Sequence, residues 1–195
     1  MKYMGSKSRI VDNILPIIKE RLRDYNIKTY IEPFCGGCNV IDKVQCNIKI
    51  ASDNHKYLIE MFKNLNQIQN LPEFITKEHY SDVRECFNKG LSAYPDWYIG
   101  AVGFLSSYNG RFFDGGYSGV VHTKAGTERN YYDEAKRNLL EQIPRLEDIQ
   151  FQCGDYEELY SDKVDCLFYC DIPYKGTKHQ VRTLIMINSG IGLRR

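Results

Sequence analysis

The stretch Thr29-Tyr30-Ile31-Glu32-Pro33-Phe34-Cys35-Gly36-Gly37-Cys38-Asn39 decides the fold. A short β-branched and aromatic run leads into paired glycines, where the backbone turns tightly and can approach a ligand closely. Ile48-Lys49-Ile50-Ala51-Ser52-Asp53-Asn54 follows as a second apolar run that ends in an acid. In a doubly wound sheet, an acid about 20 residues past a glycine turn sits at the end of the second strand, where it can hydrogen-bond a ribose. The turn lacks the full G-x-G-x-x-G pattern, and nothing around it matches a P-loop. The two segments therefore point to a nucleoside-bearing ligand and do not specify a pyrophosphate.

Downstream, the apolar run Val164 to Tyr169 reads as a buried strand and delivers Cys170-Asp171-Ile172-Pro173-Tyr174 at its carboxyl end. Such a sequence can grip a planar, nitrogen-bearing ring. The Asp171 carboxylate accepts from an exocyclic amine, residue 172 offers its backbone carbonyl, and the Tyr174 ring offers a face for stacking. An enzyme would hold in this way a base taken out of a nucleic-acid stack. Phe151-Gln152-Cys153-Gly154-Asp155-Tyr156 resembles one more short strand with a Gly-Asp turn. Asp155 has two readings of equal weight, an acceptor for a cofactor amino group or the cap of a helix that continues into Glu157-Glu158. Because the glycine turn, the ribose acid and the base-gripping loop all end predicted strands, they converge on one edge of a sheet, where such folds bind ligands.

Four elements in this order resemble the Dam-type (class alpha) DNA adenine-N6 methyltransferases: Lys2-Tyr3-Met4-Gly5-Ser6-Lys7, Glu32-Pro33-Phe34-Cys35-Gly36-Gly37, Ser52-Asp53-Asn54 and Asp171-Ile172-Pro173-Tyr174. The resemblance covers roughly residues 1 to 177. It implies an α/β fold, a Rossmann-like methyltransferase sheet with its C-terminal strands missing and an inserted, mostly helical target-recognition region. It divides the chain into a cofactor-binding and catalytic domain, 1–65 with 141–195, and an insertion, 66–140. It further implies S-adenosyl-L-methionine as cofactor, no metal, and double-stranded DNA as substrate. The cofactor would be held by Tyr3, Lys7, Glu32, Pro33, Phe34, Gly36, Gly37, Asp53, Asn54 and Asp155, with Asp171 at the meeting point of cofactor and base. Asp171, Ile172, Pro173 and Tyr174 would form the catalytic loop. The insertion would supply DNA contacts from Asn109, Arg111, Lys124 and Arg129, with Lys136 and Arg137 as further phosphate candidates. The resemblance further implies a restriction-modification setting, with a cognate restriction endonuclease as partner, or a phage or other mobile element as the source.

The chain departs from the family pattern in three places. Ile172 stands where the pattern has its first proline, which keeps the backbone carbonyl but loses a fixed φ, so reduced rather than abolished activity is expected. Cys38 stands where a small residue is usual. Only 21 residues follow Tyr174. The tail, with Leu184-Ile185-Met186-Ile187 and then Ser189-Gly190-Ile191-Gly192, does not read as the rest of a methyltransferase, and the strand at 164–169 is expected to lie nearer a sheet edge than usual.

Composition is that of a soluble globular α/β protein, 43% hydrophobic and 26% charged in 195 residues. A formal net charge of +1 means that DNA binding has to come from a local patch. No run approaches a membrane span and no apolar signal core is present, so the cytoplasm is the expected location. Seven cysteines read as free, packed thiols. Their count is odd, and the Cys35/Cys38 pair has no second pair spaced to complete a zinc site. Helices are predicted over Ile10 to Leu22, Lys56 to Leu65, Tyr80 to Leu91 and Trp97 to Tyr108. Asn109-Gly110 and Asp114-Gly115 are hairpin-type turn signals. Three other functions compete with active adenine methylation: a weak or inactive remnant that binds cofactor or DNA only, a cytosine-N4 or RNA-directed enzyme, and a nicotinamide-dependent oxidoreductase. Asp171 favours adenine over cytosine, and the last reading gives the 171–174 loop no role.

Overall fold

The computed structural model describes residues 1–122, 126–160, 165–171, 183–189 and 192–194. It divides into two compact units, Met1–Ser6 with Tyr57–Pro144, and Lys7–Lys56 with Arg145–Arg195.

The second of these carries a six-stranded sheet. Helix α1 (Val11–Asp24) precedes β1 (Thr29–Glu32), and β2 (Ile48–Asp53), β5 (Ile149–Cys153), α6 (Tyr156–Tyr160), β6 (Cys166–Asp171), β7 (Thr183–Ser189) and β8 (Gly192–Arg194) follow within this unit. The order across the sheet is β5-β2-β1-β6-β7-β8. The first four strands are mutually parallel, and β7 and β8 join antiparallel. Strand β6 is buried along Cys166–Cys170, the unbroken apolar pattern of a central strand covered on both faces. One face packs Ile31, Ile50, Cys166, Phe168, Cys170 and Leu159, with Phe34 and Met186 against them. The strand order reverses at β1, with β2 on one side and β6 on the other. The carboxyl ends of β1, β2, β5 and β6 therefore face one crevice, the topological switch point of such a sheet.

The tail behaves differently from the sequence expectation. β7 pairs with β6 from Cys166↔Asn188 to Asp171↔Thr183, and β8 pairs with β7. β6 thus has a partner on each side and is not near an edge. The physical reason is the apolar run Leu184 to Ile187, which suffices to extend a sheet once an apolar neighbour is present.

The other unit is mostly helical: α2 (Lys56–Lys63, entering the unit at Tyr57), α3 (Lys77–Lys89), α4 (Asp96–Leu105), a short hairpin of β3 (Val120–His122) and β4 (Glu128–Asn130), and α5 (Tyr131–Gln142). Thr76 caps α3 by accepting from the His79 N–H, and Gly90 ends it at φ +64°, with the Leu91 N–H returning to the Cys86 carbonyl at 2.9 Å. Asn130 caps α5 through the Asp133 N–H at 3.1 Å. Tyr57 stacks on Phe112 and meets Phe87 edge-on, so the start of α2 is anchored in this aromatic core. Helix α4 is buried from Ile99 to Leu105. A Cβ on Gly100 would lie 2.1 Å from the Tyr57 carbonyl oxygen. Gly100→Ala is therefore expected to force the two backbones apart and cost about 3 kcal/mol, read as a lowered midpoint in thermal unfolding. An unchanged midpoint would contradict this packing.

The turn signals at Asn109-Gly110 and Asp114-Gly115 do not make a strand hairpin. Asn109 and Gly110 do take left-handed φ values of 57° and 64°. The chain around them forms a 3-10 turn and a loop closed by a single Ser107↔Tyr117 bridge. Phe113 is buried here, and drawing it into the aromatic core breaks the strict alternation that strand pairing requires. The paired hairpin forms later, between β3 and β4.

Candidate active site

At the carboxyl end of β1, Glu32 is 3% exposed. Its Oε2 accepts from the Ile41 N–H at 3.0 Å and from the Tyr30 hydroxyl at 3.4 Å. The carboxylate thus closes the loop that leaves the strand. Pro33, Gly36 and Gly37 are buried within that loop and Phe34 is half-buried. Gly36 takes a left-handed φ of 47°, and so does Cys38 at 56°, despite its side chain. Cys35 and Cys38 are buried free thiols. Burial pushes both thiols above the ordinary range, which keeps them protonated and inert.

Burial also pushes Glu32 well above the usual carboxylate range, with the Ile41 N–H opposing and the Asp171 charge adding to the rise. The folded state then holds a proton that the unfolded chain releases, so this residue's contribution to stability falls as pH rises above about 4.5. Glu32→Gln is expected to keep both accepted hydrogen bonds and to remove that pH dependence. Glu32→Ala leaves the Ile41 N–H unsatisfied and costs about 1–3 kcal/mol. Denaturant unfolding of the three proteins at pH 5 and pH 8 checks both outcomes.

β2 delivers Asp53 beside this turn. Its Oδ2 accepts from the Gly36 N–H at 3.2 Å and its Oδ1 from the His55 N–H at 3.0 Å. A carboxylate has about four acceptor positions, so capacity remains for the two hydroxyls of a ribose. The Cys35 N–H donates to the Ser52 carbonyl at 2.9 Å and ties the turn to β2. Asn54 is exposed at the following bend.

From β5, the Gly154 N–H donates to the Asp53 carbonyl at 3.3 Å. Asp155 Oδ1 accepts from the Glu157 N–H at 3.0 Å, the capping role that the sequence allowed. The next residue was missed by sequence reasoning. The Tyr156 ring is 46% exposed and lies 5.5 Å from the Phe34 ring at 40°. The pair forms an aromatic wall above the ends of β1 and β5. The signal available in the sequence was an aromatic immediately after the Gly-Asp turn.

β6 ends at Asp171. Lys7, in the segment before α1, bonds to its Oδ2 with both side chains largely buried, 11% and 16% exposed. The other oxygen, Oδ1, is buried and has no hydrogen-bond partner among the described residues. An unsatisfied carboxylate oxygen in such a place costs free energy and is what a donor on a bound ligand would satisfy. The burial of Cys170 next to it pushes that thiol up to about 11.

The second unit therefore brings Lys7, Glu32, Pro33, Phe34, Gly36, Gly37, Asp53, Asn54, Asp155 and Asp171 to one set of strand ends. Ile172, Pro173, Tyr174 and Lys124 lie outside the described residues. Tyr3 belongs to the other unit, where its ring lies 5.8 Å from that of Phe104. In that unit Asn109 is exposed, Arg111 pairs with Asp114 within its own loop, and Arg129 makes a two-point pair with Glu134. Lys136 donates to the Leu71 carbonyl at 2.7 Å and Arg137 pairs with Asp133 at 3.2 Å. The Lys136 ammonium is thus committed to bracing the backbone.

Among the described residues no helix is long and apolar enough to cross a membrane. The chain is 26% identical over 200 residues to the type II methyltransferase M.MjaIII of Methanocaldococcus jannaschii, covering 90% of this chain and 68% of that protein. It is 25% identical over 192 residues to the type II methyltransferase M.FokI of Planomicrobium okeanokoites and 27% identical over 195 residues to the modification methylase StsI of Streptococcus sanguinis. These two matches cover 89% of this chain each, and the chain spans 28% of the length of either relative. The model of one family matches residues 3–188, which takes in the glycine turn, Asp53 and Asp171. With that match, the chain belongs to the D12 class N6 adenine-specific DNA methyltransferases.

Proposed function

We propose that this chain transfers a methyl group from S-adenosyl-L-methionine to N6 of adenine in double-stranded DNA. The observation that carries the reading is the buried, unpartnered Oδ1 of Asp171 at the switch point of the sheet, beside the Asp53 and Gly36 turn. The residues present fit the cofactor. Asp53 has acceptor capacity for ribose hydroxyls, and the Phe34 and Tyr156 rings offer faces for its adenine. Lys7 sets the position of Asp171. When bound, the cofactor supplies an electrophilic methyl on a sulfonium.

The chain's own work is orientation and charge stabilisation. Asp171 Oδ1 accepts from the target amine, and the carbonyl of residue 172 is the second acceptor. Two acceptors fix the direction of the nitrogen lone pair and stabilise the positive charge that grows on nitrogen. Tyr174 stacks on the flipped base. The unit of Met1–Ser6 and Tyr57–Pro144 contributes target recognition, with Asn109 exposed for a base edge and Arg129 for phosphate. The type II names of the relatives favour a restriction-modification setting with a cognate endonuclease, and the cytoplasm as the place of action.

The test is equilibrium binding followed by transfer. The chain should bind S-adenosyl-L-methionine but not NADH, and should pass a methyl label to unmethylated duplex. Binding of NADH, or label transfer to RNA alone, would overturn the reading.

A further inference from the structure

We infer that the unit of Met1–Ser6 and Tyr57–Pro144 contains a seat for one phosphodiester group of the DNA backbone, built by Lys2 and Arg129 around the Tyr131 ring. The inference rests on the DNA-methylation reading and adds a specific phosphate site to it.

A cavity of about 160 Å³ in this unit is lined by Lys2, Ser107, Tyr108, Asn109, Ser118, Arg129 and Tyr131, among others. That is room for a phosphate group with water around it. Lys2 Nζ lies 5.1 Å from the centre of the Tyr131 ring and the Arg129 guanidinium 4.7 Å from it. One aromatic ring thus gathers two cations. A single carboxylate serves both, since Glu134 pairs with Arg129 at 2.7 Å and with Lys2 at 3.9 Å. Two positive groups against one negative leave a net positive cavity wall. Lys2 retains ammonium donors, because its ion pair with Glu134 is long at 3.9 Å. Ser107, Ser118, Tyr108 and Asn109 add neutral hydrogen-bonding groups around the same space.

The wall is also held in place. Gly110, at φ +64°, packs on the backbone at Lys2, where a Cβ would lie 2.4 Å from the Lys2 carbonyl oxygen. The loop is braced by Ser107 Oγ, which shares a hydrogen bond with the Tyr80 hydroxyl at 2.9 Å and accepts from the Phe113 N–H at 3.1 Å. Glu134 holds Arg129 by two parallel bonds, at 2.8 and 2.9 Å, which fixes the guanidinium plane and leaves its remaining N–H groups for the cavity. Such a cluster of fixed cations and small donors suits a tetrahedral anion, and a phosphate contact of this kind positions DNA without reading its sequence.

The experiment measures the salt dependence of DNA affinity for the whole chain. Each phosphate contact contributes about 0.9 to the slope of log K against log salt. Lys2→Gln and Arg129→Gln should each lower that slope by about 0.9 and weaken binding equally for all sequences. Arg129→Lys should keep the slope. Glu134→Gln, which frees both cations, should tighten binding without changing sequence preference, whereas a merely structural Glu134 would weaken it. Lys89→Gln, an exposed cation on α3, is the control and should leave slope and affinity within error of the unaltered chain.

Unchanged slopes in Lys2→Gln and Arg129→Gln, with the unaltered chain binding DNA, would overturn the seat and leave the methylation reading standing. An unaltered chain that binds S-adenosyl-L-methionine but no DNA would overturn both. Inorganic phosphate at constant ionic strength is the second arm. Phosphate should displace DNA from the unaltered chain more readily than from Arg129→Gln, and saturable phosphate binding that leaves DNA affinity unchanged would assign the seat to free phosphate instead.

Discussion

Asp171→Ala is expected to lower the rate of methyl transfer by about 10³-fold while leaving S-adenosyl-L-methionine affinity within a few-fold. The carboxyl group is the acceptor at the carboxyl end of β6, and its Oδ1 is free of protein donors among the described residues. Removing one preorganised group that faces developing charge costs about 10²–10³ in rate. Here the group also fixes the direction of attack, so the upper part of that range is expected. The substitution also removes the ion-pair partner that the Lys7 ammonium, 11% exposed, has in Asp171. A buried ion pair broken on one side costs about 3–5 kcal/mol, so the rate is compared at a temperature where circular dichroism shows the variant folded. Lys7→Met with Asp171→Asn removes both members of the pair and should recover stability without recovering rate. Recovery of rate would show that Asp171 acts through folding alone.

Asp53→Ala has the second largest expected effect, on cofactor affinity. The carboxylate receives the Gly36 and His55 N–H groups at 3.2 and 3.0 Å and thereby joins the glycine turn to the end of β2. Its remaining acceptor capacity is available to a ligand at the strand ends. A charge-assisted hydrogen bond contributes about 1.5–3 kcal/mol, and loosening of the turn adds to the loss. Since 1.4 kcal/mol is a factor of ten, S-adenosyl-L-methionine should bind about 100-fold more weakly by calorimetry. Asp53→Asn, which keeps one oxygen for the backbone, should fall between the two. Equal affinity in all three would remove Asp53 from the cofactor site.

Much of this site is legible in the sequence because its parts are local. Strand, glycine turn and acid follow one another within Thr29–Asp53, and parallel pairing at Ile31↔Ile50 and Ile31↔Phe168 brings distant strand ends together by topology alone. Four helices begin within three residues of their expected positions, since apolar periodicity and caps such as Thr76 and Gly90 are local signals. What escaped the sequence depends on tertiary choices. The 107–117 loop closes differently from a strand hairpin because Phe113 is drawn into the aromatic core. The tail pairs with β6 because an apolar strand edge was there to receive it. Lys7 and Asp171 are 164 residues apart, and no periodicity announces their pairing. The same holds for Tyr156 against Phe34, and for the convergence of Lys2 and Arg129 on Tyr131.

The identity of the methylated nucleoside tests the central claim most directly. Unmethylated duplex is incubated with the chain and methyl-labelled S-adenosyl-L-methionine, digested to nucleosides and separated. The account predicts label in N6-methyladenine alone, lost in Asp171→Ala. Label in N4-methylcytosine, or no label from a folded chain that binds both cofactor and DNA, would contradict it.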